Sequence, residues 1–424
     1  MWSNWAGSQR CTPAVLGRPR STEEVAALVR AAREAGRTVR VAGSGHGFGD
    51  GVLTDGTLLH LGSMDRVLHV DRETMRVRAQ AGIRLAALNA VLDAHGLALA
   101  NLGDIDVQAL GGATATGTHG TGARLPSLSA QVTAVQLVDG AGEVRELRDG
   151  DDLRAAQVAI GALGVVTEVE LALVPAFTLR GHDGPMDRAE ALERLDELAD
   201  AHDHFEFFAF PHARRVLARR NDRVDADPAP PSRLRRAIED DLVQNGGLAA
   251  GVALARRAPR LTPAVNRLLT RAAGARVRVD RSHRVFASPR HVRFEEMEVA
   301  VPRAAARDVV EAVMAAAERD GRVSFPLELR FAAADDALLS AAHGRDTAYV
   351  AAHVARGVPY EPFLREVEAI ARAHDGRPHW GKHHWRTAAD LAPAFPAWDR
   401  FAAVRDRLDP ERRFANAHLR RVLG

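Results

Sequence analysis

Lysine occurs once in this chain, at Lys382, within Arg377-Pro378-His379-Trp380-Gly381-Lys382-His383-His384-Trp385. Lysine and arginine together number 57, so arginine fills every other basic position. Arginine is a permanently charged planar fork, whereas a lysine ammonium is compact and can lose its proton when buried. A lone lysine amid histidines and tryptophans is a candidate for chemistry. Desolvated and shifted in pKa, it suits proton handling or the binding of a hydroxylated substrate. The histidines also raise a metal reading. His383 and His384 are adjacent, a spacing that seldom converges on one ion in a strand, and no His-x₃-His helix accompanies them. No metal site is expected.

A second constellation is Glu328-Leu329-Arg330. In a strand over 323–331, alternation puts both charged side chains on one face and Phe325, Leu327, Leu329 and Phe331 on the other. The charged face is either plainly solvated or the wall of a cleft, where it would hold an acid and a base rigidly for a substrate. Two glycine-rich segments complete the set. Gly43-Ser44-Gly45-His46-Gly47 follows a short strand at 38–42. Such glycines let backbone come close to a ligand and aim N–H groups at a phosphate. A Walker loop is excluded, because no Gly-Lys-Ser/Thr ends it. His46 either caps this turn or faces the ligand. Residues 111–122 hold five glycines and four threonines, a poor helix interior and a poor strand. They read as a long loop whose backbone donors and hydroxyls can cradle phosphate oxygens.

The elements that must position these groups follow from periodicity. Residues 21–35 form an amphipathic helix, with Ser21 or Thr22 as cap and Glu24 completing a capping box. Helix, strand and then glycines is not the strand–glycine–helix order of a Rossmann unit. Strands at 57–61, 66–71 and 75–81, a helix at 84–95, a hairpin of 130–138 with 143–147, and a strand at 165–174 follow. The first domain boundary falls near 178. Beyond it, strands at 204–210, 292–301, 323–331 and 346–354 alternate with helices at 187–201, 303–319 and 360–374. This pattern predicts an α+β domain, an antiparallel sheet covered on one side. Residues 222–245 read as a proline-rich, charged surface loop leading into helices. A last helix spans 395–408.

Composition bounds the partners. Of the 424 residues, 46% are hydrophobic, enough for sizeable cores, and 57 basic against 55 acidic groups leave +2. No nucleic-acid or membrane partner follows from that total, and no nucleic acid and no integral membrane segment are expected. One stretch departs from it: Gly251 to Arg290 holds ten arginines and one acid, Asp280. It is either a solvated face or a contact for an acidic surface. Cys11 is the one cysteine, so neither an intramolecular disulfide nor a Cys₄ metal site can form. The start, Met1-Trp2-Ser3-Asn4-Trp5, lacks a basic head with an apolar run, and no window reaches ~18 apolar residues. A soluble, cytoplasmic protein is expected.

Six motifs in order resemble one family. They are Gly43-Ser44-Gly45-His46-Gly47-Phe48, Asn101-Leu102-Gly103-Asp104, Gly117-Thr118-His119-Gly120-Thr121-Gly122, Gly161-Ala162-Leu163-Gly164, Glu328-x-Arg330 and His379-Trp380-Gly381-Lys382-x-His384. Together they resemble the sugar-1,4-lactone oxidases, the gulonolactone and arabinonolactone oxidases of the vanillyl-alcohol-oxidase flavoprotein superfamily. The resemblance runs from Trp5 to Leu423 and is closest to the actinobacterial gulonolactone oxidase/dehydrogenase type. It implies an α+β fold with a PCMH-type FAD-binding domain of two subdomains at 1–178. A substrate-binding cap domain on an antiparallel sheet would span 179–380, and a C-terminal segment at 381–424 would return to the FAD domain.

The resemblance also assigns roles. FAD is the implied cofactor, and in the family the histidine at His46 is commonly bonded to the flavin 8α carbon. Segments 42–48 and 111–122 would hold the pyrophosphate and ribityl chain, through Gly43, Ser44, Gly45, Gly47, Phe48, Gly112, Thr116, Gly117, Thr118, His119 and Gly122. Gly103, Asp104 and Lys382 would also meet the cofactor, and Val165 and Val166 would face its adenine end. Glu328 would orient substrate hydroxyls, Arg330 would stabilise the reduced flavin near N1 and C2=O, and Lys382 would reach the reacting hydroxyl near N5. Asp104, His353 and His384 would join them around the substrate. The implied reaction oxidises a CH–OH of L-gulono- or D-arabinono-1,4-lactone, giving an ascorbate-type product, with oxygen or another electron acceptor. Alditol oxidases share the frame but carry serine at the place of Asp104 and no histidine at that of His384. Xylitol or sorbitol oxidation with oxygen is therefore the alternative. Gly103 stands where some dehydrogenase relatives carry an alanine that blocks oxygen. A flavin-free binding protein on the same fold is a third reading, and the intact Glu328, Arg330 and Lys382 count against it.

Overall fold

A computed structural model describes residues 1–232 and 245–424. Its N-terminal part is built on two sheets. Val15–Gly17, Thr57–His60 and Val39–Ala42 form a parallel sheet with Thr57–His60 in the middle. Val144–Leu147, Val132–Val138, Val165–Ala172, Arg76–Gln80 and Val67–Asp71 form an antiparallel sheet in that order. Helix Thr22–Glu34 buries Val25, Ala26, Val29 and Ala32, the one-face spacing of a packed helix. Ser21 caps it, its Oγ accepting from the Glu24 N–H at 3.3 Å. The capping box is not reciprocal as expected: the Glu24 carboxylate accepts from the Arg20 N–H, one residue early, at 2.8 Å.

The segment 111–122 corrects the sequence reading, because its first part is helical, Leu110–Ala115. Its glycines serve close approach. A Cβ on Gly111 would lie 2.9 Å from the Ala81 side chain, so only glycine lets this helix seat against the strand end at Ala81.

The second part is one eight-stranded antiparallel sheet. Its order is Arg276–Arg281, Thr178–Asp187, Arg215–Val224, His204–Ala209, Leu327–Ala332, Thr347–Ala355, Phe294–Pro302 and Arg377–Pro378. Two long strands, Thr178–Asp187 and Arg215–Val224, were not expected from the sequence, and Thr178–Asp187 starts where the first boundary was placed. The helix expected over 187–201 is two, Arg188–Glu193 and Leu195–Ala201, parted at Arg194. The expected loop at 222–245 begins inside a strand, and its residues 233–244 lie outside the described residues.

Period-two alternation explains the sheet's two faces. Phe205, Phe207, Val216, Ala218, Met297, Val299, Leu327, Leu329, Val350 and Ala352 point into one apolar core, covered by helices Ala306–Asp320 and Glu361–Arg372. The alternate positions, Glu206, Arg219, Glu296, Glu298, Glu328, Arg330 and His353, are buried on the other face. That face looks toward the N-terminal sheets across a cavity of about 1380 Å³. No helix among the described residues is long and apolar enough to cross a membrane.

Candidate active site

The cavity has two kinds of wall. On one side runs the loop after strand Val39–Ala42: Gly43, Ser44, Gly45, His46, Gly47 and Phe48 all line it. Gly45 has φ +74°, which turns successive N–H groups to one side. Among the described residues, the N–H groups of Ser44, Gly45, His46 and Gly47 have no hydrogen-bond partner. The loop is anchored from outside, Trp5 N–H to Gly45 O at 2.7 Å and Phe48 N–H to Gly381 O at 2.9 Å. Gly112, Thr116 and Val166 continue this wall, and a Cβ on Gly112 would meet nothing within 4 Å. A long cleft edged by unspent backbone donors fits a dinucleotide with its pyrophosphate. His46 stacks on Trp5, ring centroids 5.5 Å apart. Burial, then the charges of Lys382 and Arg84, push its pKa down to about 4, which leaves a neutral imidazole with a free lone pair.

The opposite wall carries the charges. Glu328 and Arg330 are 4% and 6% exposed, so the solvated-face reading is excluded. Arg330 Nε donates to Glu328 Oε1 at 2.8 Å, with Glu206 Oε2 at 3.2 Å, and its Nη2 lies 3.3 Å from Asp104 Oδ2. Arg290 also binds Asp104. Burial disfavours the Arg330 cation, but Glu328, Asp104 and Glu206 outweigh this and hold it firmly protonated. Glu328 responds oppositely. Burial raises its pKa, Arg330 opposes, and the nearby Asp104 and Glu206 carboxylates tip the balance to about 7.

Lys382 is positioned by the edge of the sheet. Arg377–Pro378 pairs with Val299 and Ala300, and then the N–H groups of His379 and His383 bond Glu298 O and Glu296 O, each at 3.0 Å. That strap places Lys382 Nζ 2.5 Å from Glu296 Oε1 and 4.0 Å from Glu298 Oε2, and 5.2 Å from the Phe48 ring centroid. Burial alone would lower its pKa, but the two carboxylates outweigh burial and raise it. Of the two roles the sequence leaves open for Lys382, proton handling and binding of a hydroxylated substrate, the two carboxylates favour the second, with the side chain held as an ammonium donor. Glu296 lies opposite His353 across the sheet, with His353 Nε2 at 3.5 Å from its carboxylate.

Of the residues expected at the site, the structure brings Gly43 to Phe48, Asp104, Gly112, Thr116, Val166, Glu328, Arg330, His353 and Lys382 to the cavity. It does not bring Gly103, Gly117, Thr118, His119, Gly122, Val165 or His384 there. His119 sits behind the wall, stacked on Tyr349 and 3.2 Å from Glu298. The Gly122 N–H docks on Phe331 O at 2.8 Å, which ties the loop to the cap sheet. His384 is buried edge-on against Trp380 and His418, so the adjacent-histidine motif points to opposite sides. Missed were Glu206, Glu296, Glu298 and Arg219. The signal was present: Glu296 and Glu298 stand two apart in an apolar run, as Glu328 and Arg330 do. His119, Glu298 and His379 place ligand atoms within 4.8 Å of one another, a grouping no sequence spacing announces. The Lys382 ammonium beside Glu298 opposes a cation there.

A glycine-edged cleft facing a sheet of paired acids and bases has the layout of a dinucleotide-dependent oxidoreductase, and the family match identifies the dinucleotide as FAD. A family model of an FAD binding domain matches residues 13–148, and one of D-arabinono-1,4-lactone oxidase matches residues 169–422. The chain belongs to the D-arabinono-1,4-lactone oxidase family. It is 46% identical to L-gulono-1,4-lactone dehydrogenase of Mycobacterium tuberculosis, over 100% of this chain and 99% of that one. It is 34% identical to the L-gulonolactone oxidase of Bos taurus, over 99% and 98%. Cholesterol oxidase of Brevibacterium sterolicum superposes with a TM-score of 0.83 at 17% identity, covering 100% of this chain and 96% of that one, a likeness of fold alone.

Proposed function

We propose that this chain oxidises a CH–OH of a sugar 1,4-lactone of the gulono or arabinono type. In this reading, 1–178 bind FAD, 179–380 form the substrate cap, and 381–424 return to the FAD domain. The observation that carries it is the convergence of Glu328, Arg330 and Lys382 on one cavity, opposite the loop of unspent N–H groups. Bound FAD supplies the acceptor for the hydride that leaves the substrate carbinol carbon. The chain's own groups do the rest. The Lys382 ammonium donates to the reacting oxygen and stabilises alkoxide character as it develops. Glu328, poised near neutrality, accepts the hydroxyl proton. Arg330 supplies a fixed cation, and Asp104 acts through it rather than on the substrate. With gulonolactone the product is a 2-keto lactone that tautomerises to ascorbate.

A lactone and alditol panel, run with oxygen and an artificial acceptor in parallel, tests this. Turnover of gulono- or arabinono-lactone is expected. Turnover of xylitol or sorbitol with neither lactone would overturn it in favour of an alditol oxidase.

His46 has the neutral imidazole that an attack on the flavin 8α carbon needs. We expect flavin to stay with the acid-precipitated parent protein and to be released from His46→Ala. Flavin that remains attached to precipitated His46→Ala refutes the link.

A further inference from the structure

The ten arginines of the stretch from Gly251 to Arg290 fall into three groups. Arg276, Arg278 and Arg290 turn inward, near Asp183 and Asp104. Arg281 and Arg284 pair with Asp93 and Asp280. The other five belong to a helical hairpin, Gly247–Arg257 and Thr262–Ala272, joined through the turn Pro259–Leu261. Its inward faces are set by Val252 and Ala255 on the first helix, and Val265, Asn266 and Thr270 on the second. Arg256 and Arg267 clasp the body through Arg356 O and His212 O.

The outward faces are unusual. Leu254, Leu261 and Leu268 are 47%, 39% and 67% exposed. These are three of the ten large hydrophobic side chains left exposed among the described residues, all within the hairpin. Residues 247–272 contain five arginines and no acid. Asp280, the one acid in the wider stretch, is buried. Among the described residues Arg257, Arg260 and Arg271 form no ion pair.

We propose that this hairpin is a docking surface for an anionic phospholipid bilayer. Apolar side chains interleaved with unneutralised arginines on an amphipathic helix match an interface that offers acyl chains beneath negative headgroups. The hairpin's inner side, at Leu248, Leu269 and Ala272, lines the active-site cavity. Docking therefore sets the rim of that cavity at the lipid surface. The inference is independent of which lactone is oxidised.

The test is cosedimentation of the full, FAD-loaded chain with vesicles of phosphatidylcholine alone or with roughly a third phosphatidylglycerol. Binding to the anionic vesicles only is expected, and it should be lost near ~1 M salt, where the screening length is about 3 Å. The doubles Leu261→Ser/Leu268→Ser and Arg257→Glu/Arg260→Glu should each weaken binding about tenfold or more, with solution turnover unchanged. Absence of binding to the anionic vesicles, or equal binding to neutral ones, overturns the proposal. So does a leucine double that binds like the parent, because charge alone, or an acidic protein surface, would then explain the arginines.

Discussion

Replacing Lys382 with methionine should lower kcat by roughly 10²–10³-fold while FAD content stays that of the parent. The side chain keeps its length and loses the ammonium. Lys382 touches Glu296 and lies over Phe48, so its apolar stem is packed, and methionine fills the same volume. The lost function is a donor held in place by two carboxylates on one strand, Glu296 and Glu298. A donor fixed before the reaction begins costs no reorganisation when negative charge appears on the substrate oxygen. Lys382→Arg should not restore the rate, because the planar fork cannot occupy the point between Glu296 and the Phe48 ring. Steady-state turnover, with the flavin band near ~450 nm as the measure of cofactor, decides the matter. A methionine variant within about threefold of the parent would remove Lys382 from the chemistry.

With Lys382 held protonated by Glu296 and Glu298, a role as base would need the ammonium to give up its proton against both charges. Composition singled out this residue because it is the chain's one lysine. Geometry favours one of the two roles read from it, the fixed donor. That choice was not legible in the sequence, since Glu296 and Glu298 lie more than eighty residues earlier and reach Lys382 through strand pairing at Val299 and Ala300.

The same contrast runs through the fold. Helix Thr22–Glu34 and strands such as Val132–Val138 and Thr347–Ala355 were legible because hydrophobic period and turn residues agree there. Strands Thr178–Asp187 and Arg215–Val224 were not. The first, Thr-Leu-Arg-Gly-His-Asp-Gly-Pro-Met-Asp, carries two glycines and a proline, and the second carries four charged residues between its apolar ones. Their stability comes from pairing with each other over ten positions, a long-range term that local propensity does not carry. The inward-facing charges Arg219 and Asp183 are part of that cost to legibility: they look like surface and line the cavity. At the site, motifs marked the glycine loop, Glu328-x-Arg330 and Lys382. They also marked His119 and His384, which are buried for packing and support and stay off the cavity wall.

Glu328→Gln should cost roughly 10²–10³-fold in kcat/KM and, more tellingly, abolish the acid limb of its pH profile. Glutamine keeps an oxygen to accept from Arg330 and cannot take a proton from a substrate hydroxyl. In the parent, Glu328 is raised to about 7, first by burial and then by Asp104 and Glu206 against the pull of Arg330. A base works in its deprotonated form, so the rate should hold above that pKa and fall about tenfold per pH unit below it. Glu206→Gln gives the sign check. Glu206 is a negative neighbour of Glu328 and a competitor for Arg330, whose Nε lies 3.2 Å from it. Removing that charge relieves repulsion on the Glu328 carboxylate and frees Arg330 to serve it. Both effects stabilise the ionised form, so the acid limb should move to lower pH. A limb that survives in Glu328→Gln, or that moves upward in Glu206→Gln, assigns the proton to another group. His353, raised by Glu296 after burial is outweighed, is then the residue to replace next.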